Sequence, residues 1–518
     1  MPEPVFHPED LSRLRERGMD PEALARQLDL FRSPPGHLQI TRPATVGDGI
    51  RRIEPSERQA LRGEFEAGKS QGRFSKFVPA SGAATRMFSG LDGLRLRADW
   101  GSWEDLQALA QRGDVGAALG VAFFGNLERF AFYPALADRF PGKGAESPAG
   151  IPPRRLLESL LDPMGMDFIH GSKGLVPFHH GVGKPRTALE EHLIEAIELT
   201  RDSGGVVRAH FTVLEEHLDK FRRAAEQSLM NLQGMKADKI HLSFSAQDRS
   251  LDTLAADPDF KPARDRQGGL LFRPGGHGTL LKNLRETNGD LVFLKNIDNV
   301  AAGSLRSLGW ETRGLLGGLV IRLRKTLDGY LEDLEGGLPG PERLVEIIRL
   351  LEDEFGMKIK ASGREELRAE LVSAMDRPLR VCGMVPNAGE PGGGPCWVRR
   401  GPGREDLQIV ESAQVDPKSP EQLQRLQNGT HFNPVDMVVC LRDRTGAPYD
   451  LSRFVENEWV LLSRKMLEGR EIQILEKPGL WNGAMADWLT VFVEIPLECF
   501  HPVKTVMDLL RPGHQARE

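Results

Sequence analysis

The strongest constraint on the fold is an alternation of short apolar strands and amphipathic helices between residues 186 and 294. Three apolar runs predict strands: Val206–Phe211, Ile240–Phe244 and Leu291–Leu294. Helices are predicted before and between them, where residues such as Leu189 and Leu193 fall on one helical face. Short strands separated by helices are typical of βαβ units and a mostly parallel sheet. The sequence therefore predicts an α/β fold.

Helical sequence surrounds this alternating core. We interpret residues 1–75 as a helical N-terminal region and residues 76–512 as one domain. That domain carries helical insertions at about 90–165 and 303–377, where apolar residues recur with helical spacing.

The composition argues against several classes of protein. Forty per cent of the residues are hydrophobic and 27% are charged, as in an ordinary globular protein. A net charge of −6 and the lack of a basic tract argue against nucleic-acid binding. The four cysteines form no CxxC pair, and no apolar run approaches the roughly 20 residues that span a bilayer. The N-terminus has no apolar signal region. From these observations together we expect a cytoplasmic protein without membrane or nucleic-acid partners.

Residues 76–88 contain a loop of small residues between an apolar strand end and an apolar helix start. The loop includes Ser81 and Gly82, and Thr85 and Arg86 follow it. Small side chains let backbone N–H groups approach a bound anion, and a helix N-terminus favours negative charge. Arg86 adds a guanidinium that can hydrogen-bond two phosphate oxygens. The pattern fits a phosphate-binding loop and, equally, a tight turn that exposes an arginine.

Two lysines lie in segments that turn sharply. Lys173 precedes Gly174, so its ammonium can lie over a phosphate while the backbone turns. Lys504 follows His-Pro-Val, and the rigid proline can direct it into a cleft. A surface lysine without a ligand is the alternative for both residues.

Residues 272–279, Phe-Arg-Pro-Gly-Gly-His-Gly-Thr, place three glycines around one histidine. Gly275, Gly276 and Gly278 allow the backbone to lie flat against a planar ligand such as a nucleobase, with His277 beside it. The alternative is a glycine-rich connection with a solvated histidine. The density of glycine favours the ligand-binding loop.

The apolar strand at residues 291–294 leads into Lys-Asn-Ile-Asp-Asn. It places Asp298 just beyond the carboxyl end of a strand, where α/β sheets bind ligands. Mg²⁺ takes one or two carboxylates together with phosphate oxygens, so Asp298 is a candidate Mg²⁺ ligand. An Asp-Asn turn that only closes the strand is the alternative. No nucleophile motif typical of covalent catalysis is visible in the sequence.

In their order along the chain, these five segments resemble the UDP-sugar pyrophosphorylase group of nucleotidyltransferases. That group has a glycine-rich loop ending in Thr-Arg or Thr-Ser-Met, then Pro-Lys-Gly, Gly-His-Gly, Asn-x-Asp-Asn and Phe-x-Pro-Val-Lys-x-x-x-Asp-Leu-Leu. The matching residues here are 81–87, 172–174, 276–278, 296–299 and 500–510. The whole chain, with its Phe-Arg-Pro-Gly-Gly-His-Gly and Leu-Gln-Ile-Val-Glu-Ser segments, resembles more closely a bacterial family known as domain of unknown function 4301.

The resemblance implies a Rossmann-like, GT-A-like nucleotidyltransferase fold, in which helices flank a mixed sheet. It also implies three sets of functional residues: catalytic Arg86, Lys173 and Lys504; nucleotide-binding Ser81, Gly82, Thr85, Gly275, Gly276, His277 and Gly278; and the metal ligand Asp298.

The implied reaction is attack of a sugar-1-phosphate oxygen on the α-phosphorus of a nucleoside triphosphate, with release of pyrophosphate. Such a reaction requires positioning and charge neutralisation rather than a protein nucleophile. The implied cofactor is Mg²⁺, and the implied partners are a nucleoside triphosphate and a phosphorylated small molecule. Ser81, Ala83 and Ala84 stand where the group has glycines. This difference favours the alternative of a non-catalytic nucleotide or sugar-phosphate binding protein on the same fold.

Overall fold

The computed structural model describes residues 5–140, 150–181, 183–232, 239–361, 363–389, 392–401 and 403–516. The chain forms two compact units, each built from three chain segments. Unit 1 consists of Met1–Gly68, Gln247–Phe293 and Leu315–Ile495, and unit 2 consists of Lys69–Ala246, Leu294–Gly314 and Pro496–Glu518. The division at residue 76 and the two insertions stay predictions, and residues 141–149 of the first insertion lie outside the described ranges.

Capping side chains mark the start of several helices. For example, α9 starts after Thr187, whose side chain accepts a hydrogen bond from Glu190 N. The α-helices of the described residues are α1 Pro8–Glu16, α2 Pro21–Arg32, α3 Pro55–Ser70, α4 Thr85–Arg95, α5 Trp103–Gln111, α6 Val115–Phe124, α7 Tyr133–Ala137, α8 Pro153–Leu161, α9 Ala188–Thr200, α10 Leu218–Asn231, α11 Leu280–Glu286, α12 Leu305–Glu335, α13 Pro341–Phe355, α14 Arg364–Met375, α15 Pro420–Gln427 and α16 Pro512–Gln515.

The strands confirm the three predicted between residues 206 and 294, which are β7, β8 and β11. The strands of the described residues are β1 Ile40–Pro43, β2 Thr45–Val46, β3 Gly49–Arg51, β4 Phe74–Pro79, β5 Pro177–His180, β6 Pro185–Thr187, β7 Val206–Val213, β8 Lys239–Ala246, β9 Thr253–Leu254, β10 Phe272–Arg273, β11 Leu291–Lys295, β12 Leu379–Pro386, β13 Gly394–Gly401, β14 Arg404–Val410, β15 His431–Phe432, β16 Asp436–Cys440, β17 Leu461–Leu467, β18 Arg470–Glu476 and β19 Leu489–Glu494.

Unit 1 contains a mixed sheet with the strand order β2-β3-β19-β12-β16. Strand β12 runs parallel to β19 and antiparallel to β16. Helix α13 packs against β19 and ends at Gly356, which has a left-handed φ of +66°. A side chain at Gly356 would also collide with the ring of Trp397, so glycine is required there for two reasons. The unit also contains the three-stranded sheet β1-β13-β14 and the hairpin β17-β18.

Unit 2 contains the parallel strands β4, β7 and β8, in which Phe77 pairs with His210 and His210 with Ser243. Helix α9 packs against β4 and β7, and α10 packs against β8. Helices α4 to α8 add apolar side chains, including Phe88 and Phe123, to the same buried core. The predicted α/β architecture, a mixed sheet flanked by helices, is confirmed. In the described part of the chain, no helix combines the length and apolar character needed to cross a membrane.

Candidate active site

The small-residue loop after β4 pairs with the segment that carries Lys173. Lys173 N donates a hydrogen bond to Gly82 O at 3.1 Å, and Ala84 N donates to Gly171 O at 3.0 Å. An isolated β-bridge joins the two segments between these bonds. The first two predicted motifs are therefore direct neighbours in unit 2, although the five described helices α4 to α8 separate them in the sequence.

Helix α4 begins at Thr85, directly after this loop. Its N-cap residue, Ala84, has no side-chain acceptor, so N–H groups of the first helical turn stay available to an anion. Gly82, Thr85 and Arg86 are exposed and Ser81 is half-buried, whereas Ala84 is fully buried in the core. Because its methyl group packs inside the protein, Ala84 takes no space from a ligand at the exposed side of the loop.

Lys173, Asp298 and Lys504 converge in unit 2. Lys173 Nζ donates hydrogen bonds to Asp298 Oδ2 at 3.0 Å and to Val503 O at 2.6 Å. Lys504 Nζ lies 3.7 Å from the same carboxylate oxygen. The two lysines differ in exposure, since 11% of the Lys173 side chain and 52% of the Lys504 side chain is accessible. Lys504 is therefore the more open ammonium, and Lys173 holds the carboxylate in place.

Backbone hydrogen bonds fix the turn that carries Asp298. Val503 N donates to Asp298 O at 3.1 Å, and His501 N donates to Asn299 Oδ1 at 3.0 Å. Ile297 N donates to the carbonyl at the end of β4 at 3.3 Å. The turn after β11 thereby joins β4 to the C-terminal segment of unit 2.

Asp298 has one carboxylate oxygen that suits a Mg²⁺ ion. The lysines approach Oδ2, whereas Oδ1 accepts no hydrogen bond from a described residue. Mg²⁺ commonly takes one or two carboxylates and completes its shell with water and phosphate oxygens. Within the described ranges, no group of three or more His, Cys, Asp or Glu residues is placed to hold a metal. A Mg²⁺ ion at Asp298 would therefore depend on the phosphate oxygens of a ligand.

A buried charge network that sequence reasoning missed lies at β4 and the end of β11. Glu195 Oε atoms lie 2.5 Å from Lys76 Nζ, 2.9 Å from Lys295 Nζ and 3.1 Å from an Arg313 nitrogen. Burial by itself would raise the pKa of Glu195. The positive charges of Arg313, Lys295 and Lys76 outweigh burial and hold this pKa well below its usual value.

Burial lowers the pKa of Lys76 to about 7. The available sequence signal was a lysine beside the apolar residues of each of two strands, β4 and β11, because a charge in a buried strand requires a buried partner. The network fixes the strand end from which the Asp298 turn departs.

The Gly-His-Gly loop lies in unit 1, where it precedes α11 and packs against residues 476–481. A Cβ atom on Gly278 would collide with Pro478 O, and one on Gly276 would lie 3.0 Å from the Glu476 carboxylate. Gly276 also has a left-handed φ of +81°. The packing of the chain itself therefore requires these glycines, whether or not a ligand is bound.

His277 in this loop has a defined tautomer. Leu480 N donates to His277 Nδ1 at 3.0 Å, so the ring proton is on Nε2. The ring stacks on Trp481 with a centroid distance of 4.3 Å, and Trp481 Nε1 donates to Glu411 Oε1 at 3.0 Å. Burial lowers the pKa of His277, which keeps the imidazole neutral near pH 7. The geometry leaves its Nε2–H as a donor with a fixed direction.

One family model, described as Domain of unknown function (DUF4301), matches residues 7–515. The chain belongs to the DUF4301 family. Membership of this family, expected from the sequence, is confirmed. No curated protein matches the chain.

Solved structures similar to this DUF4301 protein include three pyrophosphorylase-type proteins. UDP-glucose pyrophosphorylase from Leishmania major aligns with a TM-score of 0.44 and 12% identity, over 97% of this chain and 77% of that chain. UDP-glucose phosphorylase from Trypanosoma brucei aligns with a TM-score of 0.46 and 12% identity, over 97% and 77%. Uridine diphosphate N-acetylglucosamine pyrophosphorylase from Trypanosoma brucei, in complex with an inhibitor, aligns with a TM-score of 0.45 and 12% identity, over 95% and 74%.

In this DUF4301 protein, four of the five predicted motifs belong to unit 2. There the loop at 81–86 adjoins the Lys173 segment, and Lys173 contacts Asp298 beside Lys504. The fifth motif, at 275–278, lies in unit 1. The catalytic, nucleotide-binding and metal-binding roles of these residues stay predictions.

Proposed function

We propose that this DUF4301 protein is a nucleotidyltransferase that acts on a nucleoside triphosphate and a sugar phosphate or similar phosphorylated small molecule. An oxygen of the acceptor phosphate attacks the α-phosphorus, the bond from the α-phosphorus to the bridging oxygen breaks, and pyrophosphate leaves. One arrangement supports this proposal. Lys173 and Lys504 both lie beside the Asp298 carboxylate, and the segment that carries Lys173 is hydrogen-bonded to the loop before α4. The reaction develops negative charge on phosphate oxygens, which fixed cations and backbone N–H groups stabilise.

The N–H groups and positively charged side chains at this site in unit 2 can each stabilise negative charge on a polyphosphate. The N–H groups at Gly82 and in the first turn of α4 can donate hydrogen bonds to phosphate oxygens, and the exposed Arg86 can pair with two of them. Lys504 supplies an accessible positive charge. Lys173 already donates two of its three N–H groups to the protein, so its contribution is the charge and the orientation of the carboxylate.

For unit 1 by itself, we propose that Gly275–Gly278 bind a planar ligand such as a nucleobase. The neutral His277 donates from Nε2 to a ligand acceptor, which would favour a base with a carbonyl or ring-nitrogen acceptor at that point. The cofactor that we propose is Mg²⁺ bound together with the nucleotide, with Asp298 Oδ1 as its protein ligand. When bound, the ion supplies positive charge that neutralises phosphate oxygens.

A second candidate function is non-catalytic binding of a nucleotide or sugar phosphate. One observation favours it: both lysines lie within 4 Å of Asp298, and their charges oppose a metal ion at this carboxylate. In that case the two ammonium groups and Arg86 would bind an anionic ligand without turnover.

Pyrophosphate release from a panel of nucleoside triphosphates and sugar 1-phosphates, with Mg²⁺ or with EDTA, tests the proposal. Lys504→Met should lower kcat/KM by about a hundredfold or more, since it removes a charge that stabilises the transition state. Lys220→Met is a matched control, because Lys220 is also 52% accessible and also lies 3.7 Å from an aspartate, Asp167. If no pair turns over but a nucleotide raises the Tm, the binding function replaces catalysis. If no nucleotide binds at millimolar concentration, both candidates are wrong.

A further inference from the structure

The carboxylate of Asp508 accepts hydrogen bonds from two consecutive backbone N–H groups, one of them that of Lys504. Its Oδ2 accepts hydrogen bonds from Lys504 N at 2.9 Å and from Thr505 N at 2.7 Å. Its Oδ1 lies 2.8 Å from an Arg511 guanidinium nitrogen. Asp508 is buried and caps the short 3-10 helix at Val506–Leu510. This explains the spacing Lys-x-x-x-Asp, because the carboxylate four residues after the lysine turns back to its N–H group.

His514 fixes the far end of the same segment through a chain of buried side chains. His514 Nδ1 lies 2.8 Å from His179 Nε2, and His179 Nδ1 lies 2.8 Å from Glu191 Oε1. Arg306 donates to the same oxygen of Glu191 at 2.7 Å. Both histidines are fully buried. In addition, Ala302 N donates to the carbonyl of residue 513 at 2.9 Å. The segment from residue 503 to residue 514 is therefore held at both ends.

We infer that Asp508 and His514 are positioning residues that hold the Lys504 ammonium where it meets the phosphate groups of the ligand. This inference rests on the proposed function of Lys504. The hydrogen bonds of Asp508 go to the Lys504 and Thr505 backbone, and His514 is bonded to His179, so each acts through the backbone of the segment that carries Lys504. The ammonium lies on a long flexible chain, so the placement of its backbone decides which space it can reach.

At each of the two residues, a pair of substitutions of similar shape separates the effect of the hydrogen bond from the effect of packing. His514→Asn keeps a polar atom near the position of Nδ1, whereas His514→Leu has a similar shape and no hydrogen bond; Asp508→Asn and Asp508→Leu form the second pair. Binding of inorganic pyrophosphate is measured by calorimetry in each variant. We expect the leucine variants to bind about tenfold more weakly and the asparagine variants to recover most of the affinity.

Two further readouts distinguish positioning from general stability. In a chain that also carries Lys504→Met, the leucine substitutions should cause no additional loss of affinity, because the group that they position is absent. Hydrogen exchange of the Lys504 and Thr505 amides, both bonded to Asp508, should be faster in the leucine variants and not in the asparagine variants. Either of two results would overturn the inference. The first is wild-type pyrophosphate affinity in a leucine variant, and the second is a leucine substitution that lowers the affinity as much in the Lys504→Met chain as in the wild-type chain.

The test remains decisive if a leucine variant does not fold. Arg511→Met removes a half-exposed partner of Asp508 without opening the core. A two- to threefold loss of pyrophosphate affinity and faster exchange at Lys504 support the inference, and unchanged values overturn it. If the wild-type protein binds neither pyrophosphate nor a nucleotide, the proposed function fails. The exchange rates at Lys504 and Thr505 then still decide whether Asp508 and His514 hold this segment.

Discussion

Lys173 Nζ donates a hydrogen bond to Asp298 Oδ2 at 3.0 Å, although the two residues lie 125 positions apart in the chain. The same ammonium donates to Val503 O, so one buried side chain joins three distant segments of unit 2. Lys504 approaches the same carboxylate but stays half-exposed. The two lysines of the candidate site therefore have different tasks, one internal and one directed to solvent.

The stability of the fold should distinguish these two lysines. Lys173→Met should lower the free energy of unfolding by about 3 kcal/mol, because it removes one member of a buried ion pair and leaves the other less compensated. Lys504→Met should change it by less than about 1 kcal/mol, as expected for a half-exposed ion pair. Urea unfolding of both variants measures the difference. Equal urea midpoints for Lys173→Met and Lys504→Met would contradict the assignment of an internal role to Lys173 and a solvent-facing role to Lys504.

Gly82→Ala should leave the fold intact and weaken nucleotide binding. A Cβ atom at Gly82 meets no other atom within 4 Å, and the residue does not have a left-handed φ. The added methyl group would lie at the exposed side of the loop and keep phosphate oxygens away from the backbone, with a loss of affinity of about tenfold. Gly93→Ala in α4 is the control, since its Cβ also meets nothing within 4 Å. The control should bind nucleotide normally and raise the free energy of unfolding by about 0.5 kcal/mol or more.

Asp298→Asn should abolish the Mg²⁺ dependence of turnover. The amide keeps an oxygen that can accept from Lys173, but it carries no charge to attract a cation, so kcat should fall by about a hundredfold or more. Rates are measured across a Mg²⁺ titration, with Asp167→Asn, at the partner of Lys220, as the control. Turnover that stays at the wild-type rate with the same Mg²⁺ response rules out Asp298 as the metal ligand.

His210 should make the protein less stable in mild acid. Its ring lies between Ser243 Oγ, 2.8 Å from Nδ1, and Ser245 Oγ, 2.7 Å from Nε2. Burial lowers the pKa of His210 from 6.5 to about 4. Between pH 6.5 and 4 the unfolded chain binds this proton and the folded protein does not, so stability falls as the pH falls through this window. Urea midpoints between pH 4.5 and 7.5 test the prediction. His210→Gln should reduce the pH dependence, and an unchanged slope in this variant would show that other groups cause it.

Local sequence patterns predicted much of the α/β core. The runs at β7, β8 and β11 formed strands close to the predicted boundaries, because short segments rich in β-branched and aromatic residues favour a strand over a helix. The candidate residues Gly82, Lys173, Asp298 and Lys504 were likewise identified from local motifs. A motif indicates which chemistry a segment can support, and its order along the chain shows which family the segment resembles.

The partners of these residues could not be read from the chain. The collision that excludes a side chain at Gly278 arises from Pro478, two hundred residues later in the chain. The charges that hold the pKa of Glu195 low come from three separate segments. Ala84 stood out in the sequence because a methyl group replaces a glycine, yet its methyl group is buried in the core. Such contacts depend on distances between remote segments, which no local pattern encodes.

The sequence by itself determined the residue types at the candidate site: a loop of small residues, two lysines, a strand-end aspartate and a glycine-rich turn. The tertiary structure decided how four of these motifs meet and which lysine is buried. The physical reason is that a charged group acquires its role from its neighbours and its exposure. Lys173 and Lys504 are the same residue type, but Val503 O and the Asp298 carboxylate bind the first ammonium and leave the second accessible.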